Sequence, residues 1–576
     1  MRRSPAIRYL AVAVDYDGTL ATDGGVDPSA LAAIERLRLS GRRIILVTGR
    51  RLEHLTQDFS RTELFDRIVA ENGAVIYEPR TGRLSDLADP PPAAFIERLR
   101  SLGVSPLEIG RVIVATYVPH HDAVLNAIRD LGLELQVIFN RSSVMVLPAG
   151  INKASGLEHA LRSLGLSRHE VVSVGDAEND HSFLASSECP VAVANAIPSI
   201  RNAAALVTKG AAGAGVAEVI ERVIHDDLAE IDASPQVRSE LVLGLRDDGT
   251  AITLPTYGSN ILIAGPSGSG KSTIAAGLVE RLAADAYQVC IVDPEGDYGT
   301  LPEVITIGSP HHALDVNEVL TSLGDPAVKL NVNLLGIPLA DRPAFFAQLL
   351  PTLEAMRTRT ARPHWLVLDE AHHMWPSENV YLDRLSPQTL INTVLVTVHP
   401  GRLSKATLSV IDAVIAVGPS PHDTLHDFAH RSGVVLSGSA LVLTGGETAV
   451  AWFPHSGQAP TPMRVVRARA DRLRHLRKYA EGNMRYHSFY FRGPSGRQNL
   501  KAQNLAVFSQ IAEGIDDETW MYHLRRGDYS RWIRECVKDS RLADQTSSVE
   551  QRNDVDSIES RRLVRGFIEE RYTLPE

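Results

Sequence analysis

Two pairs of aspartates are the first candidates for catalytic residues in this chain. Each pair follows a short apolar run. Asp15 and Asp17 form the first pair, and Asp176 and Asp180 form the second. An aspartate that attacks phosphorus needs a cation to offset charge repulsion and an acid to protonate the leaving oxygen. Mg²⁺ prefers hard oxygen ligands such as carboxylates. The pairs therefore predict a Mg²⁺-dependent phosphate site, with Asp15 as nucleophile, Asp17 as acid, and Asp176 and Asp180 as metal ligands.

Two further residues fit the same chemistry. Thr48, in the sequence Thr48-Gly49-Arg50, can donate its hydroxyl to a phosphoryl oxygen. Lys153 supplies a fixed positive charge that would stabilise the group in transfer. We expect both to act in catalysis beside Asp15 and Asp17.

A second signature holds phosphate in a different way. Residues 265–273 read Gly-Pro-Ser-Gly-Ser-Gly-Lys-Ser-Thr, a pattern in which a glycine-rich loop wraps backbone N–H groups around phosphates at a helix N-terminus. In that pattern Lys271 reaches the β and γ oxygens, and Ser272 binds Mg²⁺. The expected ATP-binding residues are Gly265, Ser267, Gly268, Gly270, Lys271, Ser272 and Thr273.

Hydrolysis of ATP needs carboxylates as well, and two of them follow the apolar run 365–368. Asp369 would bind the metal ion, and Glu370 would polarise the attacking water. The chain therefore predicts two phosphate chemistries, one centred on an aspartate nucleophile and one on backbone amides and a lysine.

The elements that must position these residues are those of an α/β fold. Short Val, Ile and Leu runs alternate with amphipathic stretches, as in parallel sheets covered by helices. At 576 residues the chain exceeds the roughly 250–300 that one core supports. We expect a Rossmann-like core over 1–226 with a small α+β cap inserted over about 76–148, then a P-loop NTPase (RecA-like) α/β domain over 237–462. A basic linker and a small, mostly helical domain would occupy 463–576.

The first set of motifs, in this order, resembles the haloacid dehalogenase (HAD) superfamily of phosphatases over about residues 7–224. Residues 70–74, Ala-Glu-Asn-Gly-Ala, and residues 150–153, Gly-Ile-Asn-Lys, closely resemble its type IIB branch. That branch contains archaeal-type phosphoglycolate phosphatases and sucrose- or mannosyl-phosphate phosphatases. The resemblance implies a small phosphorylated metabolite as substrate.

The same resemblance implies roles for individual residues. Asp15 would become an aspartyl phosphate, and Asp17 would act as acid and then as base. Mg²⁺ would be held by Asp15, Asp176, Asp180 and the carbonyl of Asp17. Asn179 would orient the metal or phosphate side of the site.

Residues 240–455 resemble ATPases of the HerA/FtsK type, which include DNA translocases and type IV secretion ATPases. The resemblance rests on residues 291–298, Ile-Val-Asp-Pro-Glu-Gly-Asp-Tyr, and on the segment 254–265. Where that family has a Thr-Gln-Arg-Pro-like sensor, this chain has Thr397-Val-His399-Pro400. Either His399 replaces the sensor, or the coupling between nucleotide and neighbouring subunit is lost.

Composition narrows the class of protein. The net charge of −10 argues against a surface that is basic throughout. Three widely separated cysteines offer neither a disulfide framework nor a metal-ligand spacing. The cysteine pattern therefore favours a reducing, cytoplasmic location. No run of 18 apolar residues occurs, so we expect no membrane span.

The C-terminal region leaves two interpretations open. Residues 464–501 hold eleven Lys or Arg against two acidic residues, with aromatic residues among them. Such a stretch could bind nucleic acid, but a solvated helix followed by a docking strand is the interpretation we favour. We expect Trp520, Trp532 and Phe508 to form the core of the last domain, and His523 to have a packing or surface role.

Three functions follow from these patterns. The first is a phosphomonoester hydrolase joined to an ATPase that regulates it. The second is a HerA/FtsK-type ATPase that remodels DNA or protein, with an accessory phosphatase and, as for translocases, a ring of subunits. The third is a nucleotide-sensing scaffold, and the intact catalytic sets in both domains argue against it.

Overall fold

The structure is a computed structural model that describes residues 7–22, 24–140, 142–229, 240–299, 301–309, 311–312, 314–374, 390–436, 448–466, 488–494, 496, 498–537 and 539–572. Its contacts divide the chain into two compact units: Met1–Gly299 with Glu303–Val466, and Thr300–Pro302 with Arg467–Glu576. Both predicted phosphate sites belong to the first unit. None of the described helices is long and apolar enough to cross a membrane.

The first domain of this unit contains two main sheets. Its strands are β1 (Ala11–Asp15), β2 (Ala21–Thr22), β3 (Gly25–Val26), β4 (Arg43–Val47), β5 (Arg67–Ala70), β6 (Val75–Glu78), β7 (Arg83–Asp86), β8 (Glu108–Ile109), β9 (Val114–Tyr117), β10 (Leu135–Asn140), β11 (Ser143–Pro148), β12 (Val171–Gly175), β13 (Cys189–Ala192) and β14 (Leu206–Val207). Its helices are α1 (Pro28–Leu39), α2 (Leu52–Asp58), α3 (Ala93–Ser101), α4 (His121–Asp130), α5 (Lys153–Leu164), α6 (His181–Ala185), α7 (Pro198–Ala203) and α8 (Ala212–Asp226).

The larger sheet brings the predicted phosphatase residues together. Its strand order is β14-β13-β12-β1-β4-β5-β6-β7, and β1 pairs in parallel with both β4 and β12. The residues of β1 are all buried, which explains their uniformly apolar run before Asp15. Because parallel strands end at the same edge, Asp15, Thr48 and Asp176 lie at one edge of the sheet.

The cap begins later than the sequence predicted. The expected start at residue 76 is wrong, because β6 and β7 form an antiparallel hairpin that extends the core sheet beside β5. The change in sequence pattern there reflects an edge hairpin, which is partly exposed. The cap itself consists of α3, α4 and the sheet β10-β11-β9-β8, with a small core that includes Phe95 and Val146.

The second domain of the first unit is built on one large mixed sheet. Its strands are β15 (Glu240–Leu245), β16 (Ala251–Pro255), β17 (Asn260–Ala264), β18 (Val289–Asp293), β19 (Val304–Ile307), β20 (Lys329–Asn333), β21 (Trp365–Leu368), β22 (Thr393–Thr397), β23 (Ala413–Val417), β24 (Thr448–Trp452) and β25 (Thr461–Val465). Its helices are α9 (Lys271–Ala284), α10 (Val316–Leu323), α11 (Arg342–Thr360), α12 (Ala371–Met374), α13 (Lys405–Leu408) and α14 (Pro421–Ser432).

The order of this sheet is β16-β15-β25-β24-β23-β17-β22-β21-β18-β20-β19. Strand β17, which leads into the glycine-rich loop, pairs in parallel with β22 and β23. Strand β21, which leads into Asp369 and Glu370, lies on the far side of β22. The two predicted parts of the ATP site therefore meet at the carboxyl edge of neighbouring parallel strands. The first unit thus has the α/β fold that the sequence predicted.

The second unit is small and mostly helical, as expected. Its strands are β26 (Phe489–Phe491) and β27 (Leu500–Ala502), and its helices are α15 (Leu505–Gly514), α16 (Asp517–Arg525), α17 (Asp528–Trp532), α18 (Ser540–Glu550) and α19 (Ser557–Tyr572), with a π-helical turn at Ile533–Val537. Trp520, Trp532 and Phe508 lie in its core, which confirms the prediction. His523 is buried and its Nδ1 lies 2.9 Å from an Asp528 oxygen, which confirms a packing role.

The basic stretch 464–501 is only partly described, because residues 467–487 lie outside the described residues. Phe489 and Phe491, two of its aromatic residues, are buried in the core of the second unit. Their rings are therefore not available for stacking on bases.

Candidate active sites

The centre of the first site is a buried group of three carboxylates. Oxygens of Asp15, Asp176 and Asp180 all lie within 4.8 Å of one another. The Nζ of Lys153 lies 2.5 Å from Asp15 Oδ1 and 2.6 Å from Asp180 Oδ1. Lys153 is itself buried as the first residue of α5. The fold thus brings the predicted nucleophile, two predicted metal ligands and the predicted lysine to one point.

Local backbone geometry holds these carboxylates in place. The main-chain amides of Asp176 and Ala177 donate to Asp180 Oδ2 at 2.8 and 2.9 Å. The Thr19 hydroxyl donates to Asp176 Oδ1 at 2.9 Å. A Cβ atom at Gly175 would come within 2.8 Å of the Asp180 side chain, so only glycine leaves room for this arrangement.

Burial and charge shift the pKa values of the groups in this centre. Burial raises the pKa of Asp15, repulsion from Asp180 raises it further, and the attraction of Lys153 offsets only part of the rise. Burial by itself lowers the pKa of Lys153, but the attraction of Asp15 and Asp180 outweighs it, so that pKa is raised. The lysine is therefore held as an ammonium ion.

The donor set fits a divalent cation. Full ionisation of the three carboxylates beside one ammonium ion would leave two uncompensated negative charges in a buried place, which is costly without a counterion. Hard oxygen ligands of this kind suit Mg²⁺. Among the described residues, Asp15, Asp176 and Asp180 form the acidic group that could hold a metal.

The side chain of Asp17 lies apart from that group and is paired with an arginine. Arg50 donates from Nη2 at 2.7 Å to Asp17 Oδ1 and from Nε at 2.8 Å to Asp17 Oδ2. Asp17 keeps 44% of its side chain exposed, so it faces the solvent side of the site. The motif Thr48-Gly49-Arg50 predicts a role for Thr48 but none for Arg50, although Arg50 stands only two residues after it. A charged residue that close to a catalytic strand end was the signal available.

Thr48 and Asn179 are linked through the loop that follows β5. The Thr48 hydroxyl is buried and accepts from the Arg50 amide at 3.1 Å. The Thr48 carbonyl accepts from the Asn72 amide at 3.0 Å. Asn179 Nδ2 donates to Asn72 Oδ1 at 3.2 Å. Asn72 therefore ties the predicted phosphate ligand Thr48 to the loop that carries Asp176 and Asp180.

The second site has the geometry expected of a phosphate-binding loop. Gly265, Gly268 and Gly270 have positive φ angles of 155°, 77° and 96°. A Cβ at Gly265 would lie 2.1 Å from the Val417 carbonyl oxygen. Helix α9 begins at Lys271, so its free amides face the loop.

The other predicted ATP ligands lie on this loop and on the first turn of α9. Ser267 and Gly268 are exposed, and Ser272 and Thr273 are partly exposed. Lys271 is buried, and its Nζ donates to the Pro266 carbonyl at 2.9 Å. The lysine therefore folds back onto the loop in which a phosphate would bind.

The carboxylates at the end of β21 face this loop. Burial raises the pKa of Asp369 to about 7, and the nearby charges of Asp297 and Glu370 add to the rise. Burial also raises the pKa of Glu370, and Lys271 acts in the opposite direction. Glu370 has a φ angle of 47°, an uncommon conformation for a residue other than glycine. Such strain occurs at functional sites.

The residues after β22 include the position where the sequence departs from the HerA/FtsK pattern. The Thr397 hydroxyl lies 3.1 Å from His372 Nδ1, and His372 Nδ1 lies 3.4 Å from Glu370 Oε2. The rings of His372 and His399 meet edge to face, with centroids 6.1 Å apart. His399 thus lies two contacts away from the predicted hydrolytic glutamate.

Comparison with known proteins supports both family resemblances that the sequence motifs indicated. Residues 12–88 and 111–220 match the family described as haloacid dehalogenase-like hydrolase. A phosphoglycolate phosphatase of Methanothermobacter thermautotrophicus is 33% identical over 218 residues, which are 37% of this chain and 97% of that protein. The chain belongs to the haloacid dehalogenase-like hydrolases. Phosphoglycolate phosphatase 2 of Saccharolobus solfataricus is 28% identical over 233 residues, covering 39% of this HAD-like hydrolase and 96% of that protein.

A solved structure and a second family complete the comparison. A haloacid dehalogenase-like hydrolase from Bacteroides thetaiotaomicron aligns over all of its chain and 38% of this one, with 21% identity and a TM-score of 0.33. Residues 256–417 match the family described as the central domain of the helicase HerA. This HAD-like hydrolase therefore carries a HerA-like domain, as its motifs predicted.

Glu71 is a residue of the HAD-like domain to which the sequence analysis assigned no role. It is completely buried, and its carboxylate accepts hydrogen bonds from three backbone N–H groups in the turn between β8 and β9 of the cap: Arg111 at 2.9 Å, Val112 at 2.8 Å and Ile113 at 2.9 Å. A Cβ at Gly110 would lie 2.6 Å from the same carboxylate. Glu71, which directly follows the core strand β5, therefore holds this turn of the cap against the core.

We expect Glu71→Gln to lower the free energy of unfolding by about 3 kcal/mol, because an amide NH₂ would face backbone donors that a charged acceptor now satisfies. Thermal and urea unfolding measure it. The matched control is Asp86→Asn, since Asp86 pairs with the Arg111 side chain of the same segment at 2.7 Å but on the surface. That change should cost less than about 1 kcal/mol. Equal losses in the two variants would contradict the special role of Glu71.

Proposed function

We propose that this chain is a Mg²⁺-dependent phosphomonoester hydrolase joined to a domain that binds and hydrolyses ATP. The observation that carries the proposal is the buried contact of Lys153 with Asp15 and Asp180, beside Asp176. A nucleophile held against an ammonium ion and a divalent-cation site is what attack on a phosphate monoester requires.

In the first step an oxygen of Asp15 attacks phosphorus, and the bond between phosphorus and the ester oxygen breaks. Asp17 gives its proton to the departing alcohol oxygen. The bound Mg²⁺ would offset the negative charge of phosphate and carboxylates. Lys153 and the Thr48 hydroxyl stabilise the charge on the group in transfer.

In the second step water attacks the phosphorus of the aspartyl phosphate on Asp15. Asp17, now ionised, takes a proton from that water, and the bond between phosphorus and the Asp15 oxygen breaks. Inorganic phosphate leaves, and Asp15 returns as a carboxylate. Arg50, which pairs with Asp17, would hold the acid-base residue in position between the two steps.

The proposed substrate is a small phosphorylated metabolite such as phosphoglycolate or a sugar phosphate. The names of the two archaeal relatives support phosphoglycolate. In the HerA-like domain, we propose that Lys271 and Ser272 bind ATP with Mg²⁺, and that Asp369 and Glu370 support its hydrolysis. ATP hydrolysis there would release ADP and inorganic phosphate, and the ADP would distinguish this reaction from ester hydrolysis at the first site.

A second candidate is an ATPase that remodels DNA or protein, with the phosphatase as an accessory. The match of residues 256–417 to the HerA central domain favours it. The oligomeric state discriminates between the two, since a DNA-stimulated hexamer would support the second candidate. A monomer or dimer whose ATP hydrolysis rate does not change on addition of DNA would support the first candidate.

The test is phosphate release from a panel of phosphate esters, with ATP assayed separately. We expect release from one small ester that requires Mg²⁺, stops on addition of EDTA and resumes when Mg²⁺ is restored. Mg²⁺ should also raise the melting temperature, because it neutralises the buried carboxylates. The control is Asp176→Asn, in which that rise should shrink. Release that is indifferent to EDTA would contradict the proposal.

A further inference from the structure

The two α/β domains of the first unit meet through a buried polar contact, which we call the junction cluster: His169, Glu170 and Glu188 of the HAD-like domain, and Tyr287, Arg362 and His364 of the HerA-like domain. All six are at least nine-tenths buried. The rings of His169 and Tyr287 stack with centroids 3.7 Å apart. Buried, charged contacts of this kind are costly unless they are well organised. A flexible linker between two independent domains would not produce such buried contacts.

Within this cluster, Arg362 contacts two residues of the HAD-like domain. Its Nη2 donates to the Gly165 carbonyl at 2.7 Å, and its Nε lies 2.8 Å from Glu170 Oε1. Gly165 ends helix α5, whose first residue is Lys153. Glu170 directly precedes β12, and Asp176 directly follows that strand. One arginine of the HerA-like domain therefore holds the far ends of the two elements that carry Lys153 and Asp176.

The same arginine is connected to the predicted ATP site. Arg362 and His364 lie just before β21, and Asp369 and Glu370 lie just after it. A movement of β21 along its axis, driven by a ligand at Glu370, would therefore also move Arg362. Rigid strands with two discrete arrangements are a recognised route for coupling between sites.

The cluster retains unsatisfied groups. Among the residues that the structure describes, Nη1 of Arg362 and Nε2 of His364 are buried and have no hydrogen-bond partner. His364 Nδ1 accepts from the Gln288 amide at 2.8 Å, so Nε2 carries the proton of the neutral ring, and it lies 3.5 Å from Glu170 Oε1. A small shift of β21 would complete this hydrogen bond.

We propose that Arg362 is a positioning residue of the phosphatase site, and that through it the nucleotide state of the HerA-like domain controls the rate of phosphate ester hydrolysis. This inference rests on the proposed function of both domains. The control acts on kcat, because Arg362 affects the placement of Lys153 and Asp176 and does not touch the ester.

The test measures kcat and KM for p-nitrophenyl phosphate on the full chain, with Mg²⁺, in the presence and absence of a non-hydrolysable ATP analogue. In the wild type we expect the analogue to change kcat by about fivefold or more, with KM nearly constant. In Arg362→Met the change should fall to nearly onefold, and Arg362→Lys should restore part of it. The matched control is Arg168→Ala, since Arg168 also donates across the junction, to the Asp285 carbonyl at 2.7 Å, but is exposed. It should keep the wild-type response.

Glu170→Gln gives an independent variant in case the arginine change prevents folding. An amide of the same shape leaves no cavity, but it removes the carboxylate charge that lies 2.8 Å from Arg362 Nε. It should also lose the nucleotide response. If the wild type hydrolyses the ester but its kcat does not change with the analogue, or if Arg362→Met keeps the full change in kcat, the inference is wrong. The proposed function would still stand in either case. A wild type that hydrolyses no ester would overturn the proposed function and the inference with it.

Discussion

Asp15→Asn should lower phosphate ester hydrolysis by about 10³-fold or more, because removal of a covalent nucleophile leaves only binding and charge stabilisation. Asparagine has the shape of aspartate, but its amide does not attack phosphorus. Phosphate release in the presence of Mg²⁺ measures the loss. Wild-type rates in Asp15→Asn would show that Asp15 is not the nucleophile.

The same variant should remain folded. Burial and the charges of Asp180 and Asp176 raise the pKa of Asp15, so an ionised carboxylate is disfavoured there when no metal is bound. A neutral side chain relieves that repulsion, although it also weakens the contact with Lys153. We therefore expect a melting temperature without Mg²⁺ close to that of the wild type, and unchanged ATP binding. Loss of ATP binding would mean that the substitution disturbs more than the first site.

Lys271→Ala should weaken ATP binding by about 100-fold, since a charge-assisted contact with phosphate is worth up to about 3 kcal/mol. Burial lowers the pKa of this lysine, and the carboxylates of Glu370 and Asp369 oppose that effect. Calorimetric titration with ATP measures the affinity.

Two variants separate binding from hydrolysis in the HerA-like domain. Lys405→Ala, an exposed lysine at the start of α13, should leave ATP affinity unchanged. Glu370→Gln should keep ATP binding and lose ATP hydrolysis, because the amide cannot polarise water as the carboxylate does. Equal affinity in Lys271→Ala and the wild type would contradict the phosphate-binding role of the loop.

The catalytic strand ends could be predicted from sequence for a physical reason. Buried parallel strands read as short apolar runs, and the residue that follows such a run lies at the carboxyl edge of the sheet. Asp15 after β1 and Asp176 after β12 are both found there. The glycine-rich loop could also be predicted from sequence, because its phosphate-binding residues all lie within nine consecutive positions, 265–273.

Contacts between distant segments could not be predicted in this way. Glu71 binds amides about forty residues away, and its role depends on how the cap joins the core. Arg362 meets Glu170 across 192 positions of sequence and across a domain boundary. No periodicity or spacing encodes either pair. The cap boundary was placed too early because the edge hairpin β6–β7 has the short, mixed pattern that a cap strand also has.

The most direct test of the account is the site of covalent phosphorylation. Asp17→Asn protein lacks both the acid of the first step and the base of the second. With p-nitrophenyl phosphate, whose nitrophenolate departs without protonation, the first step should still proceed, and the phosphoryl group should accumulate on the nucleophile. After the protein is mixed with p-nitrophenyl phosphate and Mg²⁺ and quenched in acid, peptide mass spectrometry should find one phosphoryl group on Asp15. The Asp15→Asn, Asp17→Asn double variant should carry none. A phosphoryl group on another residue, or ester turnover with none at all, would contradict the aspartyl phosphate mechanism.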